Sequence, residues 1–378
     1  MTAFDTMKWY YGERCLAIKE WKEKGGKVLG YLCNNTPEEI IYAAGFLPIR
    51  LTGDPLVKTT IGDQYMEDHF CPFVRSIFDL TLRGVFNYFD AIVIPHACDA
   101  IIRMAKYLVT VKELDDIKFP DMYWIDMPHS RTLKDYEYYL GRVIDFRTKM
   151  EKLAGEKISD SALWKAIEAY NKGRTLLQEI VRFRWDEPHK ISGTEALQII
   201  GSGLFMPRHE HNKLLEEFLQ EELINFPTKS GVRVFVSGSC MDSTALTELI
   251  ESCGAIVVGD DTCMSDRYAE TMIDLVADPI EAITRRYLFK SPCPRVVSMK
   301  ERINYFKERL QKVKPQAVIF YFLRWCDTNM WDYVSLVGEV KKLGIPYYYC
   351  DMQEYHLANP ESLRTRFEAL IESAGGAK

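Results

Sequence analysis

The sequence predicts an α/β protein of two parallel-sheet domains with a helical segment between them, and three observations carry that prediction. Short apolar, β-rich runs alternate with helical periodicity from residue 27 to residue 129. The alternation gives way to an unbroken helical pattern over residues 131–226, then resumes to the end of the chain. The two alternating stretches also match each other in order: KVLGYLC-NNTPEEIIYAAG-FLPIRL against RVFVSGSC-MDSTALTELIESCG-AIVVGDD, DAIVIPHACDA against AVIFYFLRWCDT, and YWIDMPHS against YYYCDMQEYH. The expected organisation is a structural duplication of Rossmann-like or flavodoxin-like domains at residues 1–130 and 229–378, a helical segment at 131–228, and a binding cleft between the domains.

Each element has a local cause. MTAFDTMKWYYGERCLAIKEWKEKGG has the amphipathic pattern of one leading helix. KVLGYLC is the first strand. The helix NNTPEEIIYAAG is capped by Thr36, starts on Pro37, carries Glu38 and Glu39 in its first turn and stops at Gly45. FLPIRL is the second strand, followed by a loop over residues 52–70 and a helix from Cys71 to about Tyr88. The strand DAIVIPH, a helix from about Asp99 and the strand MYWIDMPH complete the first domain. Stretches such as ALWKAIEAYNKGRTLLQEIVRF fill the helical segment. The second domain reads RVFVSGS, a helix ending at Gly254, AIVVGDD, a loop, helices to about Lys314, AVIFYFL, a helix, IPYYYCDM and a last helix.

Length and composition narrow the function. A chain of 378 residues exceeds one ordinary core. With 48 basic and 54 acidic residues its net charge is −6, which gives nucleic acid no electrostatic hold. The amino terminus lacks the apolar region of a signal peptide and no run approaches the ~18 residues of a membrane span, so a cytoplasmic protein is expected. Ten cysteines in a reducing compartment are not a disulfide framework. No C-x-x-C pair occurs, which removes zinc-ribbon, thioredoxin-like and ferredoxin-type motifs. Walker A and G-x-G-x-x-G motifs are absent, and SGSC is not G-x-S-x-G.

Two cysteines hold equivalent positions. Cys98-Asp99 and Cys326-Asp327 each close an apolar strand and open a helix, at the carboxyl edge where open α/β sheets bind ligands. Cys71, followed by Pro72, opens another helix, where free backbone N–H groups favour a thiolate. Three thiols converging from separate elements suggest a metal cluster more than a disulfide, although any one of them, taken alone, would also serve as a small buried hydrophobe. Cys15 and Cys253 lie in helical patterns and are expected in the core. Cys33 and Cys240 are equivalent strand-end residues that could line the cleft, and Cys263, Cys293 or Cys350 could supply a fourth ligand. His96 and Asp99 flank Cys98 and could donate a proton or orient the ligand loop. Asn34 and Asn35 either face the cleft or shape the helix entry. His129 stands one repeat position from Glu354 and His356. Arg75 either offsets a cluster's charge or pairs with Asp79 at i+4. Asp126 and Asp351 read as turn braces.

GYLCNNTPEEIIYAAGFLPIRL, CPFVRS, IPHACDAI, YFLRWCDT and YYYCDMQEYHLANPESLRTRFEALIE occur in that order between about Trp21 and Leu370. Together they resemble the iron–sulfur subunits of the 2-hydroxyacyl-CoA dehydratase / benzoyl-CoA reductase family. The resemblance implies a 4Fe–4S cluster held by three cysteines in the interdomain cleft, carried here onto Cys71, Cys98 and Cys326, with one iron left without a cysteine. It implies a low-potential, radical-type acyl-CoA enzyme that receives single electrons from a separate ATP-hydrolysing iron–sulfur activator. It also implies pairing with a related second cluster subunit, or with itself. CPFVRS, HACDAI and the chain length most resemble the smaller cluster-bearing subunit of ATP-dependent benzoyl-CoA reductase, which reduces an aromatic acyl-CoA. The alternative is a subunit of (R)-2-hydroxyacyl-CoA dehydratase, which eliminates water through a ketyl radical anion. A double-cubane cluster reductase would need more cleft cysteines, for which Cys33, Cys240, Cys263 and Cys350 stand available, and a subunit that only relays electrons is a further alternative. Catalysis in any branch needs proton donors near the cluster, with His96, Asn35 and Asp99 as the candidates. Outside the enzyme class, a metal-free two-lobed binding module is the rival.

Overall fold

Apolar runs rich in β-branched residues become strands that are covered on both faces, as parallel sheets require. The computed structural model describes residues 1–275, 278–295 and 298–375. Helices α1 (Ala3–Gly12) and α2 (Leu16–Glu23) lead into β1 (Lys27–Tyr31), α3 (Glu38–Ala43), β2 (Phe46–Arg50), α4 (Pro72–Leu82), β3 (Ala91–Pro95), α5 (Asp99–Asp115) and β4 (Met122–Ile125). The helical segment holds α6 (Leu133–Ala154), α7 (Asp160–Trp185), α8 (Gly193–Ser202) and α9 (Arg208–Glu217). Then come β5 (Val232–Gly238), α10 (Ala245–Ser252), β6 (Ala255–Asp261), α11 (Asp266–Ala269), α12 (Pro279–Phe289), α13 (Met299–Val313), β7 (Ala317–Leu323), α14 (Asp327–Lys342), β8 (Tyr347–Gln353) and α15 (Pro360–Gly375).

The strands form two sheets, ordered β2-β1-β3-β4 and β6-β5-β7-β8, with every pairing parallel. The order is the same in both halves, as the element-by-element match between them predicts. Each central strand β3 and β7 is buried at every position. Since parallel strands point their carboxyl ends the same way, each sheet gathers its strand-end turns on one edge.

Three local expectations are corrected. The leading helix is two helices, interrupted at Glu13–Cys15, because Arg14 turns inward to Thr52 Oγ1 (2.6 Å) and Asp242 Oδ2 (3.2 Å). Thr36 does not cap α3: its hydroxyl donates to the Leu32 carbonyl at 2.8 Å, and Glu38 and Glu39 are buried rather than solvated. Helix α4 stops at Leu82 instead of reaching Tyr88, because Gly84 takes φ +75° and turns the chain out of the helix.

Packing crosses the boundaries that the sequence pattern suggests. Helix α12, from the carboxyl-terminal part of the chain, places Ile280, Ile283 and Tyr287 in the core formed by Leu29, Ile40 and Val93 of the first sheet. A buried polar clasp accompanies it. Arg174 of α7 forms an ion pair with Glu39 of α3, and Tyr287 of α12 donates to the other Glu39 oxygen at 2.8 Å. Beside it, Tyr268 of α11 donates to Glu38 at 3.0 Å, and Arg208 of α9 bonds the Tyr268 hydroxyl.

Removing one member of such a clasp strands a buried charge. Arg174→Ala is expected to lower the unfolding free energy by about 3–5 kcal/mol in chemical denaturation. A loss below about 1 kcal/mol would mean that hydrogen bonds alone satisfy Glu39.

Candidate functional site

The carboxyl edges of the two sheets face each other. Asn34, just past β1, donates from Nδ2 to the Cys263 carbonyl just past β6 at 3.1 Å, and Lys290 beyond α12 donates to the Asn34 carbonyl. Cys71, Cys98 and Cys326 are the residues that precede the first turns of α4, α5 and α14. The first-turn N–H groups of Phe73, Ile101 and Asn329 favour a thiolate on each, although none closes a capping hydrogen bond.

The three thiols sense one another. Cys71 and Cys326, one from each half of the chain, face each other, the first as donor and the second as acceptor. That donation, with burial, pushes the Cys71 thiol well up. It draws Cys326 down to about 6 against the opposing effect of burial, helped by Ser239 and by Asn329, whose Nδ2 lies 3.2 Å from the sulfur. Burial pushes Cys98 up to about 12, and the neighbouring Cys326 adds to the shift. Phe70, Asp99, Trp325 and Asp327, each adjacent in sequence to one of the three cysteines, help to wall a cavity of about 320 Å³ whose lining does not include the cysteines themselves. A larger hollow, about 1130 Å³, is a groove at the opposite, amino-terminal end of β8, and no cysteine is among the residues that line it.

Backbone geometry holds these turns. Trp325, immediately before Cys326, has φ +60°, as does Cys33; a left-handed residue other than glycine costs about 1–3 kcal/mol. Gly238 takes φ +148°, and a Cβ there would lie 1.9 Å from the Tyr321 carbonyl oxygen. Its absence lets the end of β5 close on β7, where the Ser239 N–H donates to Tyr321 (2.9 Å) and its hydroxyl accepts from the Leu323 N–H (3.0 Å).

Behind the first three thiols lie four more. Cys33 and Cys293 are within electrostatic reach of Cys98, Cys33 is within reach of Cys263, and Cys240 donates toward Cys263. Cys263 is drawn down to about 5 by that donation, against burial, with Arg50, Arg267 and Lys290 adding to the effect. Arg50 is 5% exposed, its Nε has no hydrogen-bond partner, and its guanidinium lies over the Tyr31 ring at 5.8 Å. Lys290 is drawn down to about 7 by burial and by Arg286.

The other predicted site residues divide. The Asn35 amide is buried with neither its nitrogen nor its oxygen bonded. His96 lies beside the Trp124 and His129 rings, its Nδ1 bonded to Asp126, which accepts a 2.5 Å hydrogen bond from Tyr138. Against the effect of burial, these two bonds hold the Asp126 carboxyl below its usual range. Asp99 is exposed, 3.7 Å from Arg295, which meets His129 at 2.6 Å. Arg75 pairs with Asp63 rather than Asp79, because Asp79 turns to the Ile61 and Gly62 N–H groups (2.8 and 2.7 Å) and to Arg83. Cys15 is exposed at the start of α2, 3.7 Å from the Tyr88 hydroxyl, rather than in the core. Cys253 is half-buried at the end of α10. Cys350 lies inside β8, packed in the core rather than at a strand-end turn. Glu354 pairs with Arg324 at 3.0 Å, and the Asp351 side chain lies outside the described residues. Sequence reasoning missed Arg50, Ser239 and Asn329.

Among the described residues, no three Cys, His, Asp or Glu side chains close at the spacing of a single metal ion. An iron–sulfur cluster asks for something different, since it spreads its thiolates over separate irons. Three thiols at three helix starts, beside one cavity, fit that donor set by type and placement. No helix among the described residues is long and apolar enough to cross a membrane.

Residues 33–374 match the family model described as 2-hydroxyglutaryl-CoA dehydratase, D-component. The chain is 27% identical to a benzoyl-CoA reductase subunit of Thauera aromatica, over 88% of this chain and 87% of that protein. It is 23% identical to the (R)-phenyllactyl-CoA dehydratase beta subunit of Clostridium sporogenes, over 94% of each. Against the beta subunit of (R)-2-hydroxyglutaryl-CoA dehydratase of Acidaminococcus fermentans it is 21% identical, over 87% of this chain and 88% of that one.

The position of Lys290 has a pH signature. Between its folded value of about 7 and its ordinary 10.5, the unfolded chain binds a proton that the folded chain does not. Stability attributable to Lys290 therefore rises with pH across that window, by up to ~1.4 kcal/mol per pH unit. Denaturation of wild type and Lys290→Met from pH 7 to 10.5 should show the wild type gaining relative to the variant; a constant difference would contradict the assignment.

Proposed function

As the chain belongs to the 2-hydroxyglutaryl-CoA dehydratase D-component family, we propose that it is the 4Fe–4S subunit of an acyl-CoA enzyme that reduces an aromatic acyl-CoA. The observation that carries this reading is the meeting of Cys71, Cys98 and Cys326 beside one cavity at the facing sheet edges. These three thiolates would hold the cluster. Such a cluster supplies single electrons at a potential set by charge, hydrogen bonding and solvent exposure.

The surrounding residues have definable tasks. Asn329 and Ser239 fix the Cys326 sulfur and favour its thiolate. Trp325 and Phe70 narrow the cavity, and Arg103 lines the same wall. Asp126 holds Nδ1 of His96 and so orients the ring, leaving Nε2 to exchange a proton. Asn35 offers a buried amide that has no partner among the described residues.

The aromatic-acyl reading follows the likeness to the benzoyl-CoA reductase subunit. Elimination of water from an (R)-2-hydroxyacyl-CoA is the second reading, favoured by the relatives named as dehydratase beta subunits. Those subunit names also support a heteromeric assembly with a related second chain. Electrons would come from a separate ATP-hydrolysing partner, in keeping with the lack of a P-loop motif in this sequence.

After anaerobic purification the protein is expected to hold about four irons and four sulfides per chain. Cys71→Ala, Cys98→Ala or Cys326→Ala should lose most of both, whereas Cys350→Ala should keep them. A chain that takes up no iron would overturn the reading. With activator, ATP and reductant, conversion of benzoyl-CoA to a ring-reduced product selects the first branch, and loss of water from an (R)-2-hydroxyacyl-CoA selects the second.

A further inference from the structure

We propose that Arg50 is a built-in counter-charge for the iron–sulfur group, a residue that favours the reduced, more negative state of the three-cysteine site. The proposal rests on the cluster reading above. Nine lysine and arginine side chains are buried among the described residues. Six of them form ion pairs with carboxylates. Arg286 and Lys290 donate to main-chain carbonyls instead. Arg50 alone, 5% exposed, makes neither an ion pair nor a side-chain hydrogen bond with any described residue. Its guanidinium only lies over the Tyr31 ring, at 5.8 Å. A charge withdrawn from water is costly unless an opposite charge stands near it.

The place of Arg50 in the fold selects the anion. Arg50 ends β2, Tyr31 opposite it ends β1, and Val93 opposite Tyr31 belongs to β3. The three stand in one row across adjacent strands, so Arg50 lies two strand spacings, roughly 10 Å, from β3. The exit of β3 leads into Cys98. Although β2 is an edge strand, the guanidinium leans inward over β1. Its base is fixed, because the Arg50 N–H is bonded to the Leu204 carbonyl at 3.0 Å and the next N–H, of Leu51, to Tyr31 at 2.9 Å. The rival anion is a thiolate, since Cys33, Cys240 and Cys263 are also within electrostatic reach.

The sign of the effect follows from charge alone. One-electron reduction adds a negative charge at the three-cysteine site, and a guanidinium is always protonated. A fixed positive charge therefore stabilises the reduced state more than the oxidised one. Across roughly 10 Å, at an effective dielectric constant of about 20, this changes the ratio of reduced to oxidised forms on the order of tenfold. Salt screens such a buried pair little.

The test is an EPR-monitored redox titration of anaerobically purified full-length protein, wild type and Arg50→Met, with iron and sulfide measured in each. The expected result is unchanged iron content, with the ratio of reduced to oxidised cluster about tenfold lower in the variant at a given potential. For one electron that is a shift of about 59 mV to more negative potential. Arg50→Gln should follow Arg50→Met, and Arg50→Lys, which keeps the charge, should stay near wild type. An unchanged midpoint in the iron-loaded neutral variants overturns the proposal. If alkylation of Cys263 then moves to higher pH in those variants, the charge serves that thiolate instead. Loss of iron from both neutral variants but not from Arg50→Lys supports the counter-charge, whereas loss from all three makes the residue structural and defeats it. Wild type without iron overturns the cluster reading and this proposal together, an outcome that iron analysis separates from a failure of Arg50 alone.

Discussion

Glu39 is a carboxylate with no access to water, held by Arg174 of α7 and Tyr287 of α12. Its neighbour Glu38 receives Tyr268 of α11, whose hydroxyl is shared with Arg208 of α9. Through these two residues one short helix of the first sheet is tied to the helical segment and to two helices from the second half of the chain. Apolar residues of similar volume would supply comparable stability at such a place, since burying charges costs about as much as their pairing returns. What an ion pair adds is orientation. Each guanidinium and phenol bonds only where the partner oxygen stands, and so the clasp sets how the two sheet edges address one another. The thiols on those edges inherit that geometry.

At the edges the chemistry is governed by an imbalance of charge. Seven of the ten cysteines interact in a string from Cys71 to Cys240, and buried cations collect at one end of it. Carboxylates are plentiful nearby but already engaged: Asp261 with Arg302 and Arg267, Asp260 and Asp266 with Arg184. Arg50 is left to the sulfurs. A protein that must keep several thiolates, or a negatively charged inorganic group, out of water needs such uncommitted positive charge in reserve.

Much of this was legible in the sequence, for identifiable reasons. Strands buried on both faces write themselves as continuous apolar runs, so β3 and β7 were plain and so was the repeat that relates them. Cys98 and Cys326 stood out because a strand-end turn is a position, and positions repeat. Cys71 stood out because Pro72 marks the helix start. What stayed hidden depends on partners remote in sequence. Arg50 looks like any charged residue ending a strand until the second half of the chain folds over it. Arg75 and Asp79 have the spacing of a helix pair, yet each finds a better partner in the loop before the helix. Arg14 breaks the leading helix for Thr52 and Asp242, and local periodicity carries no trace of either. Helix α12 reads as part of the second domain by its place in the chain, and packs with the first.

The Cys71–Cys326 contact joins residues 255 positions apart, and the first sheet lacks Ile280, Ile283 and Tyr287 until synthesis has passed α12. Long-range contacts form late, because the chain between them must first surrender its freedom. Emerging from the ribosome, the first half therefore shows an unfinished apolar face and unpaired thiols, and the three-cysteine site cannot exist until Cys326 has been made. Any group that it holds has to be delivered after synthesis has passed that residue.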